Sequence, residues 1–475
     1  MSQWNNPYAL LVQEFTQRRD EGAVIPKALR DGLVRLDPVV DAWNEPAIAA
    51  LAIELAAIPS DPVLAAAEPN DLAAIRALRP AGPRSLQWNP SDAQLLDRLH
   101  GAWTGRATGC ALGKPVEMMG MGIREGALCG RSDIKRYLSA RGDWPLRDYF
   151  SGRDVGDGLT LWCPRSTREE IAYMEPDDDI HYTMVGLGVL EDHGPDFTWD
   201  TVAEWWMAHI PMRDLCTAET QAMMNYMSRT SRLQTPGVTK SVATPEFCRR
   251  NQNPYREWIG AQIRADGWAF ACAGNPELAA EFAYRDACWT HERNGIYGAM
   301  FFAAIHAAAF AISDPADLVS IGLSEIPEAC RLAQTVRQTL EICDATSNWE
   351  AAMEQLETLT NLLSPPIMSP VHTINNAALC VLAMMYARID SVNTITTAVM
   401  AGLDTDCNGA TIGSIVGAAI GRRAFRGDLA DRLNDTIRPN LIGFQEVTML
   451  DLASRTAAQW NRVRAYAEDR TNRSL

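Results

Sequence analysis

Glycine recurs at every fourth position in two distant stretches of this 475-residue chain: Gly101, Gly105, Gly109, Gly113, and again Gly409, Gly413, Gly417, Gly421. Positions four apart share one face of a helix. A glycine inside a helix costs roughly 0.5–1 kcal/mol relative to alanine. Strips of this length therefore need an offset, and close backbone-to-backbone packing supplies one, as in small-xxx-small helix pairs. The pattern predicts two central helices in very tight crossings, with each other among the candidate partners. The alternative is that either strip accommodates a bulky neighbour.

The rest of the chain is read around those helices. From Ser91 almost to the end the apolar spacing is helical, and alternating Val/Ile/Tyr runs bounded by turns are scarce, so the expected class is all-α. Residues 1–58 place Leu10, Leu11, Phe15, Val39, Val40, Trp43, Ile48, Leu51, Ile53 and Leu55 at helical intervals, which predicts a small N-terminal helical appendage. Pro59, Pro62, Pro69, Pro80, Pro83 and Pro90 crowd the next segment, and 59–90 is read as a linker. Residues 118–176 mix Gly, Arg, Asp, Trp and Pro without period. That is too long for a plain connection within a compact domain and predicts a functional insertion.

Charge narrows the function. A formal net charge of −16 and a pI near 5.0 argue against a nucleic-acid binder, whose affinity needs clustered positive charge. The run Ile296–Ile312 is interrupted by His306 and dominated by alanine, so it reads as a buried core helix and no membrane span is expected. The opening MSQWNNPYALL lacks a charged start followed by an apolar stretch, and the 11 cysteines form no CxxC pair. Both point to a cytoplasmic protein with reduced thiols.

Two acidic clusters carry the chemistry. Asp177-Asp178-Asp179 follows Pro176 and precedes an amphipathic run, and Asp404-Thr405-Asp406 follows Gly402 and precedes the second glycine strip. Each sits at a helix N-terminus, where capping is the simplest role for an aspartate. Three consecutive carboxylates exceed what a cap needs, because like charges repel. Together the clusters offer oxygen ligands of the hard type suited to Mg²⁺, Mn²⁺ or Ca²⁺.

GAWTGRATGCALGKPVE (101–117), EPDDDIHYTM (175–184), IGAQIR (259–264), WTHERNGIYGA (289–299) and GLDTDCNGATIGSIVGAAIG (402–421) occur in the order found in ADP-ribosylglycohydrolases. Over about 93–425 the chain resembles that superfamily. The resemblance implies an all-α orthogonal multi-helix bundle over 91–475 with a binuclear Mg²⁺ or Mn²⁺ centre in a cleft. It implies hydrolysis of an N- or O-glycosidic bond at the ribose anomeric carbon, with an ADP-ribosylated protein or a small ribosyl conjugate as substrate. Asp178 and Asp179 match the metal-binding DD pair, and Asp404 and Asp406 match the carboxylates of DTD; Asp177 stands beside them as a further candidate ligand. Glu117 matches the acidic residue that gates the site or acts in acid–base chemistry, so the catalytic set is Glu117, Asp178, Asp179 and Asp406. Gly260 and Arg264 match part of a diphosphate-cradling loop, and His291 matches a histidine near the substrate.

The chain departs from the family pattern in places. Asp177 replaces the usual Thr before DD, Cys407 replaces the Thr after DTD, and Cys110 replaces an Asp. A thiol is a softer donor than a hydroxyl, so either Mn²⁺ is favoured over Mg²⁺ or the site loses a ligand, for which the added carboxylate of Asp177 would compensate. Trp258, Ile259 and Ala261 stand where the phosphate loop is often Gly, Asn or small, which motivates a second reading, an N-glycoside or nucleoside hydrolase acting on a substrate without diphosphate. A non-catalytic binding relative is the third. Asn375 and Asn376 either cap the following helix or, with His372, face the site; Asn376 is taken as substrate-binding. The insertion interleaves Arg131, Arg136, Arg141, Arg147 and Arg153 with Tyr137, Trp144, Tyr149, Phe150 and Trp162, as a substrate flap or an ordinary solvated one.

Overall fold

A computed structural model describes residues 3–232, 239–425 and 428–474. The fold is all-α. Among the described residues, β structure is limited to three two-stranded antiparallel pairs.

The glycine strips meet each other. The first glycine helix, Asp92–Gly113, starts at a capping box in which Ser91 and Gln94 satisfy each other's backbone N–H groups. It lies antiparallel to the second glycine helix, Thr405–Ile420. A Cβ at Gly105 would overlap the Gly413 carbonyl, one at Gly109 the Gly409 carbonyl, and one at Gly101 the Gly417 carbonyl. At the end of the row Gly113 faces Thr405, whose hydroxyl donates to the Gly113 carbonyl at 2.8 Å. The antiparallel register therefore sets the C-terminal end of one helix beside the N-terminal end of the other. Glu117 and Asp404–Asp406 become neighbours through it.

Around this pair the helices close a large apolar core. The helix Asn294–Ala309 is buried along its whole length, consistent with its all-round apolar sequence. His306 sits inside it near the Phe270 and Phe302 rings, and burial pushes its pKa down to about 4, so it is a neutral core residue. The long helix Met449–Ser474 lies along the first glycine helix, where the Trp103 indole donates to the Thr456 hydroxyl at 3.1 Å.

The helices Pro7–Asp20, Lys27–Val34 and Glu45–Ala56 have an apolar cluster of their own, made by Leu11, Phe15, Ile25, Leu29, Ile48 and Leu55. Segment 59–90 contains two short helices, Pro62–Ala67 and Leu72–Leu78. Asp61 and Asp71 accept their first-turn N–H groups, and Ile75 is buried in the main core. A buried ionic seam joins this N-terminal part to the bundle. Arg256 pairs with Glu14 at 2.6 Å and with Glu21 at 2.7 Å, Gln17 donates to Glu257 at 2.7 Å, and Arg331 bridges Glu68 and Glu257.

In 118–176 the structure places a short hairpin and the helix Gly130–Arg141. Tyr137, Tyr149 and Phe150 are buried in the main core, Arg131 pairs with Glu357, and Arg141 pairs with Asp157 while lying over the Tyr137 ring. Most of the aromatic and arginine residues there are therefore packing. Trp162 remains exposed, with its N–H donating to the Pro115 carbonyl, two residues before Glu117.

Candidate metal centre

The chain bends sharply into the second glycine helix. Gly402 takes φ +85° and Leu403 φ +59°, the latter costing a non-glycine residue about 1–2 kcal/mol. Two bonds hold the strained turn: Leu403 N–H donates to the Gly120 carbonyl at 3.1 Å, and Asp404 N–H donates to Asn376 Oδ1 at 3.2 Å. Asp404 and Asp406 are thereby presented at the helix start.

The acidic helix Asp178–His193 arrives from the other side, with Asp177 as its cap. Asp177 Oδ1 accepts from Asp179 N–H at 3.0 Å, and Oδ2 pairs with Lys114 Nζ at 3.0 Å. Asp179 Oδ1 accepts from Arg106 at 2.8 Å, and Oδ2 accepts from the Cys407 thiol at 3.1 Å. Arg106 also donates to the Asp179 and Ile263 carbonyls and pairs with Asp266 at 3.1 Å.

Three donor sets result, each with ligand atoms within 4.8 Å of one another: Glu117, Asp404 and Asp406; Asp179, Asp406 and Cys407; and Asp177, Asp178 and Asp179. Asp406 and Asp179 each belong to two sets, so the groups form one continuous centre built from segments more than two hundred residues apart. Asp177, Asp179, Asp404 and Asp406 are buried, whereas Glu117 and Asp178 are half-buried.

Electrostatics fit divalent cations. Six carboxylates share two nearby cationic side chains, Lys114 and Arg106, and Arg106 is also committed to Asp266. Burial, reinforced by the neighbouring carboxylates, pushes Asp178 up to about 8 and Asp406 up to about 6. The same causes hold Glu117 and Asp404 well above the ordinary carboxylate range. Burial raises Asp179 too, against the pull of Arg106. Asp177 is the exception: burial works to raise it, but the Lys114 charge and hydrogen bond prevail and lower it. Among the described residues, Asp406 Oδ1 is buried and receives no N–H, alcohol or thiol hydrogen bond. An oxygen left orphaned among surplus carboxylates is what a site for hard divalent ions presents.

The other expected residues lie one layer behind. Asn376 is fully buried and accepts from Asp404 N–H and, at 2.8 Å, from Asn408, so it positions the DTD turn. The cap of the following helix, Thr373–Ala387, is His372, whose Nδ1 accepts from Ile374 N–H. Arg264 is buried with four of its five donors engaged: Nε donates to Asp286 at 2.6 Å, Nη1 to Glu219 and to the Gly260 carbonyl, and Nη2 to Thr290 at 2.8 Å. His291 bonds the same Thr290 hydroxyl at 2.8 Å and is completely buried; burial and Arg264 hold it neutral. A Cβ on Gly260 would overlap the Glu219 carboxylate. Gly260, Arg264 and His291 thus come together around Glu219, whose charge in turn bears on Asp178.

Sequence reasoning did not single out Arg106, Lys114, Glu219 or Asp266. Two of them had a signal. Arg106 is a lone charge within a strip of small residues, and Lys114 is one of four lysines in the chain, set at the end of that strip.

The family model described as ADP-ribosylglycohydrolase matches residues 91–464. The chain belongs to the ADP-ribosylglycohydrolase family. Family members hydrolyse glycosidic bonds in ADP-ribosylated substrates and are generally metal-dependent, and the clustered acids of this chain could bind metal. No curated protein matches the chain. A solved chain of an ADP-ribosylglycohydrolase-related protein complex is similar at 17% identity, over 78% of this chain and 99% of that one, with a TM-score of 0.47. Among the described residues, no helix is long and apolar enough to cross a membrane.

Proposed function

We propose that this protein is a metal-dependent hydrolase that cleaves the bond at the ribose anomeric carbon of an ADP-ribosyl conjugate, on a protein or a small molecule. Asp178, Asp179, Asp404 and Asp406 would hold two divalent cations, Mg²⁺ or Mn²⁺, with Asp177 and Glu117 completing the donor set. When bound, such a pair supplies Lewis acidity that orients ribose hydroxyls and makes a water more acidic. The remaining steps belong to the protein. Glu117, half-buried beside Asp404 and Asp406, exchanges a proton with the attacking water or the departing group. The surrounding carboxylates favour positive charge as it develops on an oxocarbenium-like ring. Arg106, Lys114 and Asn376 keep Asp179, Asp177 and Asp404 in place.

The observation that carries this reading is Asp406: it joins donors from distant segments, and among the described residues one of its buried oxygens receives no N–H, alcohol or thiol hydrogen bond. The test is a panel of ADP-ribosyl-arginine, ADP-ribosyl-serine and simple nucleosides, assayed with Mg²⁺ and with Mn²⁺. Turnover of an ADP-ribosyl conjugate that is lost in both Asp404→Asn and Asp406→Asn is expected; unchanged turnover in either variant overturns the assignment.

A second reading keeps the chemistry but drops the diphosphate. It is favoured by Arg264, which is buried and gives four of its five N–H donors to Glu219, Asp286, Thr290 and Gly260. Turnover confined to diphosphate-free ribosides would select it.

A further inference from the structure

We propose that the two ion positions of this centre are chemically unequal, with Cys407 acting as a thiolate ligand that makes one of them selective for a thiophilic divalent ion such as Zn²⁺, Co²⁺ or Fe²⁺. This rests on the metal-dependent reading above and concerns which ions the centre accepts.

The donor sets differ in kind. Glu117, Asp404 and Asp406 offer oxygen alone, the chemistry of Mg²⁺ and Mn²⁺. Asp179, Asp406 and Cys407 offer two carboxylates and a sulfur within 4.8 Å of one another. A thiolate shifts preference toward borderline and softer ions, whereas Mg²⁺ gains little from sulfur. Asp406 is common to both sets, so one carboxylate would join a hard position to a softer one. Its buried Oδ1, which receives no N–H, alcohol or thiol hydrogen bond among the described residues, is a second observation that suits a cation there.

The thiol is placed for the role. Cys407 is nearly buried, and its Sγ lies 3.1 Å from Asp179 Oδ2, to which it donates its proton. An ion bound between these two atoms takes the place of that proton. The S–H bond breaks, an S–metal bond forms, and the proton leaves to solvent with no change in oxidation state. Burial and the surrounding carboxylates hold the thiol well above its ordinary range, so Cys407 keeps its proton until an ion displaces it. Of two further thiols, Cys380 donates to Asn408 Oδ1, and Cys110, fully buried on the first glycine helix, belongs to none of the three donor sets.

The test uses the full-length protein stripped of metal and titrated with Co²⁺, whose bond to a thiolate gives a near-ultraviolet charge-transfer band. One equivalent of Co²⁺ should develop the band, and excess Mg²⁺ should not remove it. Cys407→Ser should abolish the band and Cys110→Ala should keep it. Losing a residue that merely supports a ligand weakens metal binding by about 10–100-fold. Cys407→Ser should therefore weaken Co²⁺ by at least about tenfold while Mg²⁺ binding persists. Co²⁺ binding without the band, or a band that survives Cys407→Ser, overturns the inequality and leaves the metal reading standing. Calorimetry that detects no binding of Mg²⁺, Mn²⁺ or Co²⁺ overturns both.

Discussion

The acidic centre and the seam beneath the N-terminal helices are both buried clusters of carboxylates, and they shift in opposite directions. In the seam, burial works to raise Glu21 and Glu257, but Arg256 lowers the first, and Arg331, with His372 and the Asn294 hydrogen bond, lowers the second. In the centre, burial raises Asp178, Asp179, Asp404, Asp406 and Glu117, and the neighbours mostly reinforce it. Burial is similar in the two places; the supply of arginine is not. A carboxylate cluster neutralised by its own chain is a joint between parts, while one left short of positive charge is a socket for cations from outside.

The sharpest way to break this contrast is Asp406→Asn. Ion binding by calorimetry and substrate turnover should both disappear, while the ion-free protein should melt no lower than the parent, because a repelling charge has gone. Arg331→Ala should do the reverse. It strands Glu68 and Glu257 without their partner, which should cost about 3–5 kcal/mol in denaturant unfolding yet leave ion affinity in place. Gly105→Ala comes next. Its methyl would overlap the Gly413 carbonyl, and forcing an extra methyl into close packing costs about 1–3 kcal/mol, with ion affinity weakened because the two helix ends separate.

The pH response separates the two regions without mutation. Asp178 near 8 and Asp406 near 6 lie above the unfolded value of 3.8, so between those limits the folded ion-free chain holds protons that the unfolded chain has released. Its stability should fall as pH rises from about 4 to about 8. Glu21 and Glu257 lie below their unfolded value of 4.5, so their contribution is present above it and is lost as pH falls through their folded values. Added Mg²⁺ or Mn²⁺ should remove the loss at high pH and leave the acid limb unchanged, as read by unfolding at several pH values. The smallest effect is expected at Lys27–Asp31, an exposed pair one helical turn apart, where Lys27→Ala should change stability by less than about 0.5 kcal/mol.

What was legible from residues alone follows the range of the interactions. The glycine strips announce themselves through a period of four, and DDD and DTD through local charge repulsion that a cap does not explain. Convergence of the acids also follows once the strips are paired, since an antiparallel register leaves Glu117 beside Asp404. The fate of Arg264 was not legible, because a guanidinium suited to a diphosphate looks the same in sequence as one held by Glu219 and Asp286, and those partners lie 45 and 22 residues away. The prolines of 59–90 misdirect for a local reason: after Asp61, Pro62 occupies the first helical position, where its missing N–H goes unneeded.

The pairing of the glycine strips has a further consequence for the centre. Where carbonyls and α-carbons touch directly, there is no rotamer to turn and no methylene to compress, so the interface cannot relax by small degrees. The next register available is four residues along, about 6 Å of travel. The gap between Glu117 and Asp404 is thus gauged by peptide geometry, and drift in the surrounding apolar core can accumulate without changing the spacing of these carboxylates.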